Sequence, residues 1–133
     1  MDTYPDKNLP ELNNAIDLKL IFDEINRNYF DNKLECRVIF GRKYHSPRTR
    51  CIRLGSFNCA TNTIRINPDL NDLDIPHFLI KYIMYHEMTH AWCYQNHSRL
   101  RHRGPFQLKE KEFTDFKIAR KWLRDNKKLF FKR

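Results

Sequence analysis

The feature that most restricts the fold of this chain is a pair of histidines four residues apart in a helical segment. They stand in His86-Glu87-Met88-Thr89-His90, within a stretch from Pro76 to about Gln95 whose apolar residues recur at helical spacing. A proline near the first turn is typical of a helix start. Residues four apart in a helix lie about 40° apart around its axis and about 6 Å apart along it. Both imidazoles can therefore reach one point.

Other helices and strands are predicted on both sides of this helix. Apolar spacing predicts one helix from Asn13 or Asn14 to Phe30 and another from Pro105 to about Asn126. Strands are predicted at 34–40, 51–57 and 63–67, with 58–62 as a hairpin loop between the last two. The C-terminal helix would place its apolar residues largely on one face: Phe106, Phe113, Phe116 and Leu123. The expected fold is α+β, a single domain over residues 1–133 with its core at about 14–126.

Composition restricts the setting in which such a chain works. The 133 residues contain no apolar run long enough to span a membrane, and the polar N-terminus contains no signal-peptide pattern. None of the four cysteines forms a C-x-x-C pair, so a cysteine zinc ribbon is not expected. We predict a cytoplasmic monomer with reduced thiols and no membrane partner.

Positive charge is concentrated in two parts of the sequence. Residues 97–133 hold 13 Lys/Arg against 4 Asp/Glu, and residues 36–66 hold seven Lys/Arg and no acid. Clusters of this kind favour polyanionic partners. We therefore predict binding of DNA or RNA, without sequence preference, through the basic segments 42–53 and 117–133; solvated faces that keep the protein soluble are the alternative.

The histidine pair also has the spacing of a catalytic metal site. Two imidazoles on one helix face can bind Zn²⁺, and a glutamate beside the first can act on a water molecule at the metal. This assigns His86 and His90 as ligands and Glu87 as general base. A catalytic zinc takes a third protein ligand, and spacing alone leaves His97, His102 and Glu110 open, although Glu110 is interpreted as a solvated helix acid.

The chain resembles the SprT-like family of zinc metallopeptidases, whose eukaryotic relatives include Spartan. The resemblance covers about residues 18–123 and rests on segments 22–34, Leu54-Gly55, 64–67 and the motif at 86–91. His102 follows, four residues before Phe106, and in that family a histidine so placed is the third ligand. The resemblance therefore implies His102. Two departures are a glycine displaced to Gly104 and the lack of the C-terminal cysteine ribbon that some members carry.

The resemblance also implies a fold and an activity: a zincin-like metallopeptidase domain that hydrolyses protein substrates, including proteins bound or crosslinked to DNA. Glu87 would take the proton of a zinc-bound water and pass it to the leaving amine. The family fold implies that a strand beside the cleft pairs with substrate, and we expect this strand to be 63–67. We interpret Tyr82 as a packing residue.

Two other functions fit parts of the sequence. A nucleic-acid hydrolase using His86, His90 and His97 would explain the charge, but it gives no special reason for the glutamate at position 87. A basic nucleic-acid-binding adaptor without catalysis would have no need to keep Glu87.

Overall fold

A computed structural model describes residues 17–41, 53–71, 75–97 and 104–126. In chain order the described elements are α1 (Leu18–Tyr29), β1 (Arg37–Phe40), β2 (Gly55–Asn58), β3 (Thr63–Ile66), α2 (His77–His97), α3 (Pro105–Glu110) and α4 (Phe116–Asp125), with a 3-10 helix at Pro68–Asn71 between β3 and α2. The predicted α+β fold is confirmed: helices pack on a small three-stranded sheet. No helix of the described part has the length and hydropathy needed to cross a membrane.

Helix α1 is held at both ends by side-chain hydrogen bonds. Asp17 caps its start by accepting a hydrogen bond from the Leu20 amide at 3.1 Å; the start predicted at Asn13 or Asn14 lies outside the described residues. In the last turns of the helix, buried Asn26 donates to the Leu34 carbonyl at 2.9 Å and accepts from the Leu34 amide at 3.1 Å. Asn26 therefore fixes the chain that leads from α1 into the sheet.

The sheet has the order β1-β3-β2, with β1 parallel and β2 antiparallel to β3. Ile64 and Ile66 on β3 are completely buried. The expectation that the strand at 63–67 pairs with substrate is wrong, because β3 lies in the centre and both its edges already carry ladder hydrogen bonds. Among the described strands, β1 and β2 are the outer ones, and each has one edge outside this ladder. Of these two, β2 is the strand that packs against α2.

Helix α2 lies at the centre of the molecule, in contact with β2, β3, α1, α3 and α4. It therefore buries side chains around much of its circumference, among them Leu79, Met84, Tyr85 and Met88, all with no exposed surface. A helix that is packed on several sides provides a rigid base for the histidine pair it carries.

The C-terminal helix predicted from Pro105 to Asn126 is two helices, α3 and α4, separated by a turn at 111–115. Phe113 lies in this turn and is buried. The Tyr29 hydroxyl is 2.8 Å from the Thr114 hydroxyl and accepts from the Thr114 amide at 3.2 Å. These contacts with α1 stabilise the turn and replace the helical hydrogen bonds that a continuous helix would make.

Candidate active site

The two histidines of α2 lie together, with an aromatic side chain from α3 against both. The ring centroids of His86 and His90 are 5.0 Å apart and the planes are nearly perpendicular at 82°. The centroid of Phe106 is 5.0 Å from that of His86 and 4.5 Å from that of His90. Because Phe106 has no exposed surface, it restricts the rotation of both imidazoles. The aromatic residue of the sequence motif thus supports the histidine pair directly.

Glu87 lies beside this pair and is only 6% exposed. Burial raises the pKa of its carboxyl group to about 7, and the opposing influences of His86 and Arg53 do not cancel that effect. A carboxyl group with such a pKa can exchange a proton near neutral pH, which general acid–base catalysis requires.

The edge strand β2 approaches Glu87 very closely. A Cβ atom added at Gly55 would lie 2.9 Å from Ile83 Cγ2 and 3.1 Å from Glu87 Oε2. Such distances are shorter than a carbon contact of about 3.5–4.0 Å. Only a glycine therefore lets the strand lie against the carboxylate in this arrangement.

A cleft of about 400 Å³ opens between β2 and α2, and it is lined by Arg53, Gly55, Ser56, Phe57, His86, Glu87 and His90. A second cavity of about 250 Å³ shares Gly55, His86 and Glu87 with it and continues towards Tyr82, Arg120 and Leu123. Glu87 and His86 therefore lie where the two cavities meet. An extended chain could occupy both with one of its bonds beside the carboxylate.

Glu110 is not the solvated helix acid that its sequence context predicts. It is 8% exposed, and its Oε2 atom lies 2.6 Å from both the Tyr82 hydroxyl and His86 Nδ1. Burial alone would raise the pKa of Glu110, but the hydrogen bonds from His86 and Tyr82, with the nearby Arg120, hold it below its ordinary value. Glu110 is therefore a buried carboxylate, and Tyr82, interpreted as packing, also donates a hydrogen bond to it.

The donor set fits a zinc site in part. Among the described residues, no three His, Cys, Asp or Glu side chains form a group that could hold a metal. Two imidazoles are placed together, however, and one of them has its Nδ1 against a carboxylate, an arrangement typical of metal-binding histidines. The predicted third ligand, His102, lies outside the described residues. His97 ends α2, and its side chain is also outside the described set.

Of the predicted site residues, the structure brings together His86, Glu87 and His90. The roles of Glu110 and Tyr82 in this cluster could not be predicted from the sequence. The one available signal was that Tyr82 and His86 are four apart on α2 and so share a helix face.

The fold is shared with solved metallopeptidase zymogens. The structure is similar to that of the metallopeptidase zymogen jannalysin of Methanocaldococcus jannaschii, with a TM-score of 0.59 and 20% identity over 87% of this chain and 100% of that one. It is also similar to that of the metallopeptidase zymogen abylysin of Pyrococcus abyssi, with a TM-score of 0.60 and 13% identity over 84% of this chain and 96% of that one. At these identities the likeness establishes the fold.

The sequence identifies the family. The SprT-like family profile matches residues 18–121, and the chain therefore belongs to the SprT-like family. No protein with a curated description matches it closely enough to be counted as a relative.

Proposed function

We propose that this chain is a zinc-dependent endopeptidase that hydrolyses protein substrates. The observation that carries the proposal is the position of Glu87: a buried carboxyl group with a pKa of about 7, beside two imidazoles and against an edge strand. A general base, a pair of metal ligands and a strand able to bind an extended chain are the parts that metal-assisted peptide hydrolysis requires.

Strand β2 would bind the substrate. An extended polypeptide can add to the edge of β2 that faces the cleft, through main-chain hydrogen bonds to residues 55–57. Main-chain pairing is largely independent of side chains, so it suits an enzyme that cleaves proteins of different sequence. Gly55 keeps this strand close enough to Glu87 for a paired peptide bond to lie beside the carboxylate.

His86, His90 and His102 would hold the metal. When bound, zinc supplies a Lewis acid that polarises the scissile carbonyl and lowers the pKa of water. Glu87 would accept the proton of the attacking water and then donate it to the leaving amine. Phe106 excludes water from one side of the imidazole pair and keeps both rings in place.

Substitution of Glu87 by glutamine tests this function. The amide is nearly isosteric but cannot accept the proton, so Glu87→Gln should keep the fold and zinc content and lose at least about 100-fold in turnover. The assay is cleavage of a fluorescently labelled unfolded protein by zinc-loaded enzyme, with and without single-stranded DNA. Glu35→Gln, which changes an exposed glutamate, is the matched control.

Three results would contradict the proposal. Undiminished proteolysis by Glu87→Gln would show that Glu87 is not the general base. A wild-type protein that cannot take up zinc would favour a basic adaptor without catalysis. Cleavage of nucleic acid, but of no protein, would favour the rival hydrolase.

We further propose that the substrates are proteins bound or crosslinked to DNA. Helix α4 carries exposed Lys117, Arg120, Lys121 and Arg124, while segment 42–52 and residues 127–133 lie outside the described residues. If six phosphates are neutralised, log affinity should fall with log salt at a slope of about −4 to −5. Binding of a fluorescent oligonucleotide at several salt concentrations measures the slope. Absence of binding at low salt would remove nucleic acid from the proposed function.

A further inference from the structure

Glu110 joins helices α2 and α3 at the imidazole pair. Its Oε2 atom lies 2.6 Å from the Tyr82 hydroxyl and 2.6 Å from His86 Nδ1, and both partners belong to α2. Tyr82 is 2% exposed and Glu110 is 8% exposed. A buried carboxylate destabilises a fold unless it accepts hydrogen bonds. The contacts with Tyr82 and His86 therefore offset the cost of burying the Glu110 carboxylate.

The direction of the hydrogen bonds follows from the donor inventory. An ionised carboxylate can only accept, so the Tyr82 hydroxyl and the Nδ1–H of His86 must both donate to Glu110. A neutral imidazole with its proton on Nδ1 carries its lone pair on Nε2, and a divalent metal binds that lone pair. The contact with Glu110 therefore selects the tautomer of His86 that presents Nε2 as a ligand atom.

We propose that Glu110 is a positioning residue for His86: it fixes the tautomer and ring orientation needed for metal binding, and Tyr82 in turn holds Glu110. This inference rests on the metal site of the proposed function. It assigns Glu110 a different role from the third ligand that spacing alone left open. The Oε2 atom lies at Nδ1, whereas a ligand oxygen would have to approach the metal bound at Nε2.

Zinc affinity, measured by competition with a chromophoric chelator, tests the assignment. Glu110→Ala should lower affinity about 10–100-fold, the usual effect of removing a carboxylate that orients a ligating histidine. Glu110→Gln should lower the zinc affinity less than the alanine variant does, because the amide oxygen can still accept a hydrogen bond from His86 Nδ1. Glu112→Gln, an exposed acid two residues further on, is the matched control and should leave affinity unchanged.

Tyr82→Phe tests the second hydrogen bond of this arrangement, from the Tyr82 hydroxyl to Glu110. It should weaken zinc binding less than Glu110→Ala does, and it should add nothing further in the double variant if the Tyr82 hydroxyl supports His86 through Glu110. Full additivity of the two effects would show that Tyr82 acts independently and would contradict this link.

The tautomer itself can be read by NMR of the metal-free protein. The ¹⁵N shifts of the His86 ring at pH 8 should report a predominant Nδ1–H form in the wild type and a mixture of tautomers in Glu110→Ala. If the alanine variant does not fold, the glutamine and Tyr82→Phe variants carry the test, with circular dichroism as the check on folding.

The outcomes separate the possible roles of Glu110. Equal zinc affinity and an unchanged His86 tautomer in Glu110→Ala would overturn the proposal and leave Glu110 a structural residue. A loss in Glu110→Gln as large as that in His86→Ala would identify Glu110 as a ligand and also overturn it.

The same measurements separate this inference from the proposed function. Wild-type protein that binds zinc tightly but cleaves no protein would contradict the peptidase activity and leave the positioning role intact. A wild type that binds no zinc would overturn both.

Discussion

The close approach of β2 to Glu87 makes Gly55→Ala an informative substitution. The new methyl group would lie 2.9 Å from Ile83 Cγ2, and 3.1 Å from both Glu87 Cγ and Glu87 Oε2. Normal contacts between carbon atoms are about 3.5–4.0 Å, so the strand or the two side chains must move by roughly half an ångström or more. Both side chains are buried on α2, which leaves the strand as the part able to shift.

The expected loss of stability is moderate and the expected loss of activity is large. Overpacking of a buried contact costs about 1–3 kcal/mol, and the lower entropy of the unfolded alanine chain returns about 0.4–1 kcal/mol of this. We expect unfolding in urea to show a net loss of about 1–2 kcal/mol. A displacement of about 1 Å between a catalytic group and substrate can lower the rate about 100-fold, so turnover should fall far more than stability.

Gly41→Ala is the control for this experiment. Its new Cβ would lie 3.8 Å from Arg65 Cβ and 3.9 Å from the Ile66 carbonyl oxygen, which are ordinary contacts. This variant should therefore match the wild type in both assays, or be slightly more stable. If Gly55→Ala behaves like Gly41→Ala, β2 does not lie against Glu87 as described, and the substrate-binding role given to this strand is refuted.

Three further substitutions should change the stability of the fold by amounts that depend on burial, hydrogen bonding or backbone conformation. Metal-free Glu87→Gln should exceed the wild type in stability by up to about 3 kcal/mol above pH 7, since the folded-state pKa is about 7 against an ordinary 4.5. This advantage should vanish as the pH falls to about 4.5, and melting temperatures across pH with a chelator present measure it. Asn26→Ala should cost about 2–4 kcal/mol in urea unfolding because it leaves two buried groups of Leu34 unpaired; a loss no larger than that of exposed Asn28→Ala would contradict this. Gly104→Ala should cost about 2–3 kcal/mol, because Gly104 has a φ of 59° with a ψ of −119°, a combination that residues with a Cβ rarely adopt. An unchanged melting temperature would show that this position tolerates a side chain.

The helix with the histidine pair could be predicted because its signal is local. Apolar spacing, a proline near the start and the motif itself all lie within about 20 residues. The order of the strands could not be predicted in the same way. Alternation of apolar residues predicts a strand and its buried face, but the parallel pairing that inserts β3 between β1 and β2 depends on contacts between distant segments.

The break between α3 and α4 also has a tertiary cause. Neither glycine nor proline marks residues 111–115, so the local signals for a helix end are missing. The turn forms because Phe113 is buried there and Thr114 hydrogen-bonds to Tyr29 on α1, 85 residues away in sequence. Apolar spacing alone could not distinguish this arrangement from one long helix.

Glu110 was misread for a related reason. It stands in Lys109-Glu110-Lys111-Glu112, an alternation of charges typical of a solvated helix face. Its neighbours in the structure are Tyr82 and His86, 28 and 24 residues earlier in sequence. A buried charged group in a small cluster can be recognised only when its partners are known.

The spacing of Phe106 and Glu110 is restricted by their contacts with the histidine pair, just as the spacing of the histidines is restricted by the need to reach one point. Both pairs are four residues apart, so each occupies one face of its helix: His86 and His90 on α2, Phe106 and Glu110 on α3. Phe106 contacts both imidazoles, while Glu110 reaches the Nδ1 of the first. One residue inserted between Phe106 and Glu110 would rotate the glutamate by about 100° around α3. The insertion would leave the contact of Phe106 with the imidazoles in place and remove the hydrogen bond from His86 to Glu110. The effects of these two contacts on His86 can therefore be measured separately with one inserted residue.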